Sequence, residues 1–155
     1  MAATAIVDTN VLVALLDGRD KWHPTAVALR DALRGAGVQI VYLDCVVNEA
    51  IGVIARRTEE QGRPDQFVRL LDSLAALVPE PGITWIAPAG QRLFRQALDL
   101  CREHQGRLNF NDALIALASR ELGVQFVVSF DADFDQIAWL SRIADPRETR
   151  VLGAS

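Results

Sequence analysis

The sequence predicts an α/β fold with a central, mostly parallel sheet, folded as one domain. Three observations predict it. Short apolar runs at residues 4–8, 38–43, 83–86 and 125–130 lack polar alternation, the pattern of strands covered on both faces. Between them lie longer stretches with apolar residues at helical spacing, so strand and helix alternate as they do around parallel sheets. The length of 155 residues supports one core and leaves little room for two, and no Gly/Ser-rich or Pro-rich linker divides the chain.

The elements follow in order. Residues 4–8 read as a strand apolar on both faces, and residues 10–16 as a helical segment ended by Asp17-Gly18. Pro24 suits the first turn of a second helix, with Ala26, Val27, Leu29, Ala32 and Leu33 on one face and Gly35 and Gly37 as its stop. After the strand at 38–43, one helix is expected over 44–57 and another over 64–78, the latter with Phe67, Leu70, Leu71, Leu74 and Leu77 in register. Pro79, Pro81 and Gly82 break the chain before the strand at 83–86. Pro88 precedes a helix to about His104, and 109–122 forms the next, ended by Gly123. A strand over 125–130, a short helix carrying Phe134, Ile137, Ala138 and Leu140, and a last strand near 149–152 complete the expectation.

Half of the residues are hydrophobic and 23% are charged, the profile of a soluble globular protein. No apolar run approaches the roughly 18 residues of a membrane span, so no membrane role is expected, and residues 1–8 lack the basic segment of a signal peptide. Cys45 and Cys101 sit in apolar helical patterns and read as buried thiols, which fits a reducing, cytoplasmic setting. A net charge of −4 with a pI near 5.1 does not announce a nucleic-acid binder. Lys21 is the single lysine against fifteen arginines.

The chemistry lies in the acids. Asp8 closes the first strand, where it serves either as a helix cap or as a site residue, because ligands of open α/β sheets bind at the carboxyl ends of strands. Glu49 shares a helical stripe with Cys45, Val46, Ala50, Val53 and Ile54, so it is either paired with an arginine at the stripe's margin or placed in a site. Asp112 stands three residues after Asn109, the capping-box spacing, ahead of a helix apolar almost all round. Asp131, Asp133 and Asp135 follow the strand "VVSF"; Gln136 and Arg142 occupy the positions where a calcium loop needs Gly and Glu, so that reading fails. Asp135 is expected to cap the next helix, with Asp131 and Asp133 left to the cleft. Carboxylates that converge raise one another's pKa, and divalent cations relieve the repulsion. An all-oxygen donor set suits Mg²⁺ or Mn²⁺, and two such ions about 3.5–4 Å apart can activate water against a phosphodiester.

The segments "IVDTNVLVALL", "VVNEAIGVIARR", "NFNDALIALAS" and "VVSFDADFD", in this order, resemble a single-domain PIN ribonuclease of the VapC toxin type, over nearly the whole chain from Asp8 to about Ile137. The resemblance implies a three-layer α/β/α sandwich and Mg²⁺- or Mn²⁺-dependent cleavage of RNA. It puts the family's acidic quartet on Asp8, Glu49, Asp112 and Asp131, with Asp133 auxiliary. Asp8 and Asp112 become the primary metal ligands. Asn10 matches the polar residue that follows the first Asp by two. Ser129 matches the small hydroxyl residue before the last acids, expected to orient Asp131 or a phosphate. A homodimer and a cognate antitoxin, whose tail fills the cleft, are implied as partners.

Two departures from the pattern stand out. Residues 58–82 form a longer, more Pro-rich excursion than compact relatives have, and the acidic charge calls for a local basic rim, with Arg56, Arg57, Arg92, Arg95 and Arg107 as candidates. A phosphatase with a strand-end Asp nucleophile needs a second Asp where Asn10 stands and a late Lys that is missing. A PIN nuclease without an antitoxin, or a binding module that does not cleave, remain the alternatives, although every acid of the pattern is kept.

Overall fold

The computed structural model describes residues 2–152, and its centre is a five-stranded, wholly parallel sheet. The strands are β1 (Thr4–Val7), β2 (Gln39–Leu43), β3 (Ile83–Thr84), β4 (Phe126–Val128) and β5 (Ser141–Ile143), in the order β3-β2-β1-β4-β5. In β1 the successive residues Ala5, Ile6 and Val7 are all buried. Neighbouring side chains of a strand point to opposite faces, so the sheet is covered on both, as the lack of polar alternation predicts. Ile6 lies between Val41 of β2 and Val127 of β4, which fixes the register of the central three strands.

Six α-helices among the described residues make the outer layers of an α/β/α sandwich. They are α1 (Thr9–Leu16), α2 (His23–Gly35), α3 (Asp44–Glu60), α4 (Pro64–Leu77), α5 (Gly90–Glu103) and α6 (Phe110–Leu122). Pro24 and Pro64 sit in first turns, where the missing N–H costs nothing. Gly123 ends α6 at φ 67°, a left-handed conformation that a Cβ would strain. Helix α6 is deeply set: Ala113 and Ile115 through Ala118 are all buried, and α3 and α5 pack against it.

The C-terminal part departs from expectation. Residues 149–152 are not a strand. Pro146–Val151 form a 3-10 turn, with Asp145 capping its start and Glu148 reaching back to the Asp145 backbone. This local start signal outweighs the weak β preference of Thr149 and Val151. The fifth strand is instead Ser141-Arg142-Ile143, three residues at the sheet's edge, too short for a periodic pattern to reveal. The expected helix after Asp133 is likewise a 3-10 turn, Ala132–Gln136.

Strand β3 stops at Thr84 for an electrostatic reason. Asp44, first residue of α3, is buried, and its two oxygens accept from the backbone N–H groups of Ile86 and Ala87, both at 2.9 Å. The carboxylate replaces the sheet partners that those amides would otherwise seek. Asp44→Ala leaves the buried Ile86 N–H and the part-buried Ala87 N–H without acceptors and is expected to lose about 1–3 kcal/mol of stability. Asp44→Asn, keeping one acceptor oxygen, should fall between. Urea denaturation checks this, and an alanine variant as stable as the parent would refute the assignment.

Candidate active site

The strand order reverses at the middle of the sheet. From β1 the chain moves outward to β2 and β3, then returns to the other flank of β1 as β4 and β5. Such a switch point opens a crevice at the carboxyl ends of the two central strands. Here the crevice is a cleft of about 390 Å³ whose wall includes Asp8, Glu49, Asp112, Asp131, Arg56 and Arg57. Four acids far apart in sequence therefore meet. β1 delivers Asp8, β4 delivers Asp131, and α3 packed on α6 delivers Glu49 and Asp112.

Asp8 both caps and faces the cleft. Its Oδ1 accepts from the Thr9 N–H at 2.7 Å and its Oδ2 from the Ser129 hydroxyl at 2.6 Å. Ser129 is fully buried, and its oxygen also accepts from the Asp131 N–H at 3.0 Å and from Asn10 Nδ2 at 3.4 Å. One donated and two accepted bonds exhaust a hydroxyl, so Ser129 is engaged wholly within the protein. Asn10 returns to the same loop, its Oδ1 accepting from the Phe130 N–H at 3.2 Å.

Asp112 forms the capping box that its spacing predicts. Its N–H donates to Asn109 Oδ1 at 2.9 Å, and its Oδ2 accepts from the Asn109 N–H at 3.0 Å, which leaves Oδ1 for the cleft. Glu49 is half-buried and accepts from Asn111 Nδ2. Asp131 is the cap of the 3-10 turn, accepting from the Asp133 N–H at 2.9 Å. Asp133 is more peripheral and accepts from Gln136 Nε2 at 3.2 Å. Asp135, the expected cap, instead pairs with Arg142 at 2.9 Å, whose Nη1 also donates to the Ser129 carbonyl at 3.3 Å. Arg142 of β5 thus ties the acid loop to the sheet edge.

Burial dominates the electrostatics. It pushes the Asp8 carboxyl up to about 7; the Ser129 and Thr9 donors pull it down, and the charges of Asp112 and Glu49 push it up again. Burial likewise pushes Asp112 up to about 6, against the Asn109 N–H and with Asp131, Glu49 and Asp133. The acids therefore repel one another across the cleft. Cys45, one turn before Glu49, has its thiol pushed up to about 12 by burial and then by the Asp44 charge, so it is no nucleophile at neutral pH.

Several participants carry no sequence signal of their own. Asn111 holds Glu49, and Thr9 Oγ1 is a buried oxygen beside Asp8 with no hydrogen-bond partner among the described residues. Of the expected basic rim, Arg56 and Arg57 line the cleft, whereas Arg92 pairs with Glu121 between α5 and α6. His23, which has no motif around it, lies at 2.7 Å from the Ala14 carbonyl and is structural.

Among the described residues no three side chains of His, Cys, Asp or Glu converge as a ready-made metal cage. The donor set is open and made of oxygen. That suits Mg²⁺, which binds one or two carboxylates and keeps several waters, better than zinc, which takes nitrogen and sulfur in a closed tetrahedron. The mutual repulsion of the acids fits a hydrated cation there.

No curated protein sequence matches the chain. Among solved structures it is similar to the Mycobacterium tuberculosis VapC20, a sarcin–ricin-loop-cleaving toxin, with a TM-score of 0.67, 22% identity and coverage of 86% of this chain and 95% of that one. It is also similar to VapBC2 from Rickettsia felis, solved bound to a DNA fragment from its promoter, with a TM-score of 0.65, 15% identity and coverage of 90% and 97%. At these identities the likeness is one of fold. The sequence match is independent of it: residues 5–140 match the PIN domain, and with the switch-point cleft and its acids, this chain belongs to the PIN domain family.

Proposed function

We propose that this chain is an endoribonuclease dependent on Mg²⁺ or Mn²⁺ and the toxin of a toxin–antitoxin pair, working as a homodimer. One observation carries the nuclease reading: Asp8, Glu49, Asp112 and Asp131 meet in one cleft, and the two most buried are driven toward neutrality in the absence of compensating charge. Support for the toxin role comes from the two neighbours, one described as a toxin that cleaves the sarcin–ricin loop and the other as a VapBC2 on promoter DNA.

Asp8 and Asp112 would hold the cation, with Glu49 and Asp131 completing its shell directly or through water. A bound divalent cation supplies positive charge for the scissile phosphate and lowers the pKa of water. The protein's part is orientation. Ser129 fixes the Asp8 carboxylate, Asn109 fixes Asp112 and Asn111 fixes Glu49, so these acids need little rearrangement. Arg56 on the cleft wall faces the incoming phosphate backbone, and Arg57 beside it is tied to Asp20. Water would attack the phosphorus in line as the P–O bond to the departing ribose oxygen breaks, and the chain forms no covalent bond to RNA.

Cleavage of single-stranded RNA should require Mg²⁺ or Mn²⁺ and stop in Asp8→Ala, while circular dichroism stays native. Ser129→Ala should lower the rate about 10–100-fold, the usual cost of losing a ligand's orienting partner. Unchanged cleavage by Asp8→Ala would sink the assignment. Expression without a partner should arrest growth, and Asp112→Asn should relieve the arrest; cells indifferent to the wild type argue for a nuclease without an antitoxin.

Stability should also depend on pH. A carboxyl raised from 3.8 to about 7 favours the folded state while protonated. Its contribution is complete below pH about 4 and is lost as pH rises through about 7. In chelator, the Tm should therefore fall from pH 5 to pH 8, by a free energy on the order of a few kcal/mol. Asp8→Asn should flatten this dependence and raise the Tm at pH 8. Mg²⁺ should raise the wild type's Tm at pH 8 more than the variant's; equal responses would mean that Asp8 does not meet the cation.

A further inference from the structure

Beside the acid cleft lies a second, larger groove of about 700 Å³. The two share Asn10, Arg57 and Asp131 in their walls, so they adjoin. We infer that this groove is a base-stacking subsite, in which one unpaired nucleobase of the RNA strand stacks on Trp22 while a neighbouring phosphate occupies the acid cleft. The inference rests on the ribonuclease reading above.

The aromatic wall is built from two distant segments. Trp22, at the end of the α1–α2 connection, stacks on Phe130, which directly follows Ser129, with ring centroids 4.7 Å apart and planes 17° from parallel. The stack holds the indole in a fixed attitude, yet Trp22 remains 43% exposed. A large, immobilised and exposed indole in a concave wall is a stacking platform, since every base has a π-face. Lys21 Nζ stands over the same ring, 5.6 Å from its centroid. It is a flexible side chain that can swing to a phosphate as a base takes its place.

Charge decides between a base and a second phosphate. The groove's three cations, Arg19, Lys21 and Arg57, are matched by three carboxylates, Asp17, Asp20 and Asp131. Arg57 is already held by Asp20 at 2.8 Å and lies 3.9 Å from Asp17. A groove with no net charge offers little to a phosphate, whereas a neutral aromatic ring meets matching surface and polar edges. The same Arg57 guanidinium lines both concavities, at the junction where the sugar–phosphate link would pass from one to the other.

The test uses fluorescence anisotropy with a labelled single-stranded RNA, on an Asp8→Asn background so that nothing is cut. Adding Trp22→Ala should weaken binding about 5- to 150-fold, the range for one base stacked on one aromatic ring, and Trp22→Phe should restore most of it. An RNA series with one abasic nucleotide moved along the strand separates stacking from folding. Near the scissile position, the abasic nucleotide should cost the Trp22-bearing protein the same factor and cost Trp22→Ala nothing. A flat abasic series, or full affinity in Trp22→Ala, overturns the subsite while wild-type cleavage stands. A position-dependent series with no cleavage by the wild type overturns the ribonuclease reading and leaves the subsite. No binding at all overturns both.

Discussion

The pairing of β1 with β4 is the constraint on which the rest of the molecule depends. The Asp8 N–H donates to the Val128 carbonyl at 2.9 Å, extending the ladder by one bond beyond the last residue of β1. Hydrogen-bonded strands lie only about 4.8 Å apart, so two short side chains, Asp8 and Ser129, touch without reaching. Everything else at the crevice is referred to that contact. Asn10 and Arg142 fasten the loop after β4 from opposite sides, one through the Phe130 amide and the other through the Ser129 carbonyl. The packing of α3 on α6 adds the remaining acids.

The price of the arrangement is electrostatic. Carboxylates are gathered where burial opposes their charge, and hydrogen bonds only partly offset the cost for Asp8 and Asp112. A fold can carry such a site only if its core is sound elsewhere, and here Ile6, Leu12, Leu43, Ile54, Ile115 and Phe134 are all fully enclosed. Destabilisation at the cleft is set against close packing behind it. The buried acid Asp44 shows the opposite solution. Both of its oxygens are met by backbone N–H groups, and it has no part in the cleft.

Much of this was legible in the sequence, and the limits of legibility have physical causes. Unalternating apolar strands mark a parallel sheet because both faces are covered, and the Asn109–Asp112 spacing marks a helix start because the capping bonds are local. The same local signals left Asp8 and Asp112 open between cap and site, and the structure has each of them capping a helix while facing the cleft. What stayed hidden is non-local. Ser129 and Asp8 are 121 residues apart, Asn111 and Glu49 are 62 apart, and Trp22 finds Phe130 across the sheet's end. No window of sequence contains both members of such a pair. Strand β5 escaped notice because three residues cannot display a period, and the Asp145–Glu148 turn was masked by the β-branched residues beside it.

The saturated Ser129 hydroxyl narrows the routes by which descendants of this chain can drift. One oxygen serves three partners from two segments in a space with no solvent access. Cysteine is larger and a weaker donor, threonine keeps the hydroxyl at the cost of one added methyl group, and alanine removes all three bonds at once. Acids at the cleft can in principle trade Asp for Glu and let water make up the difference. Position 129 has less latitude, so a lineage can abandon a hydroxyl here only by rebuilding the junction of β1 with β4 around it.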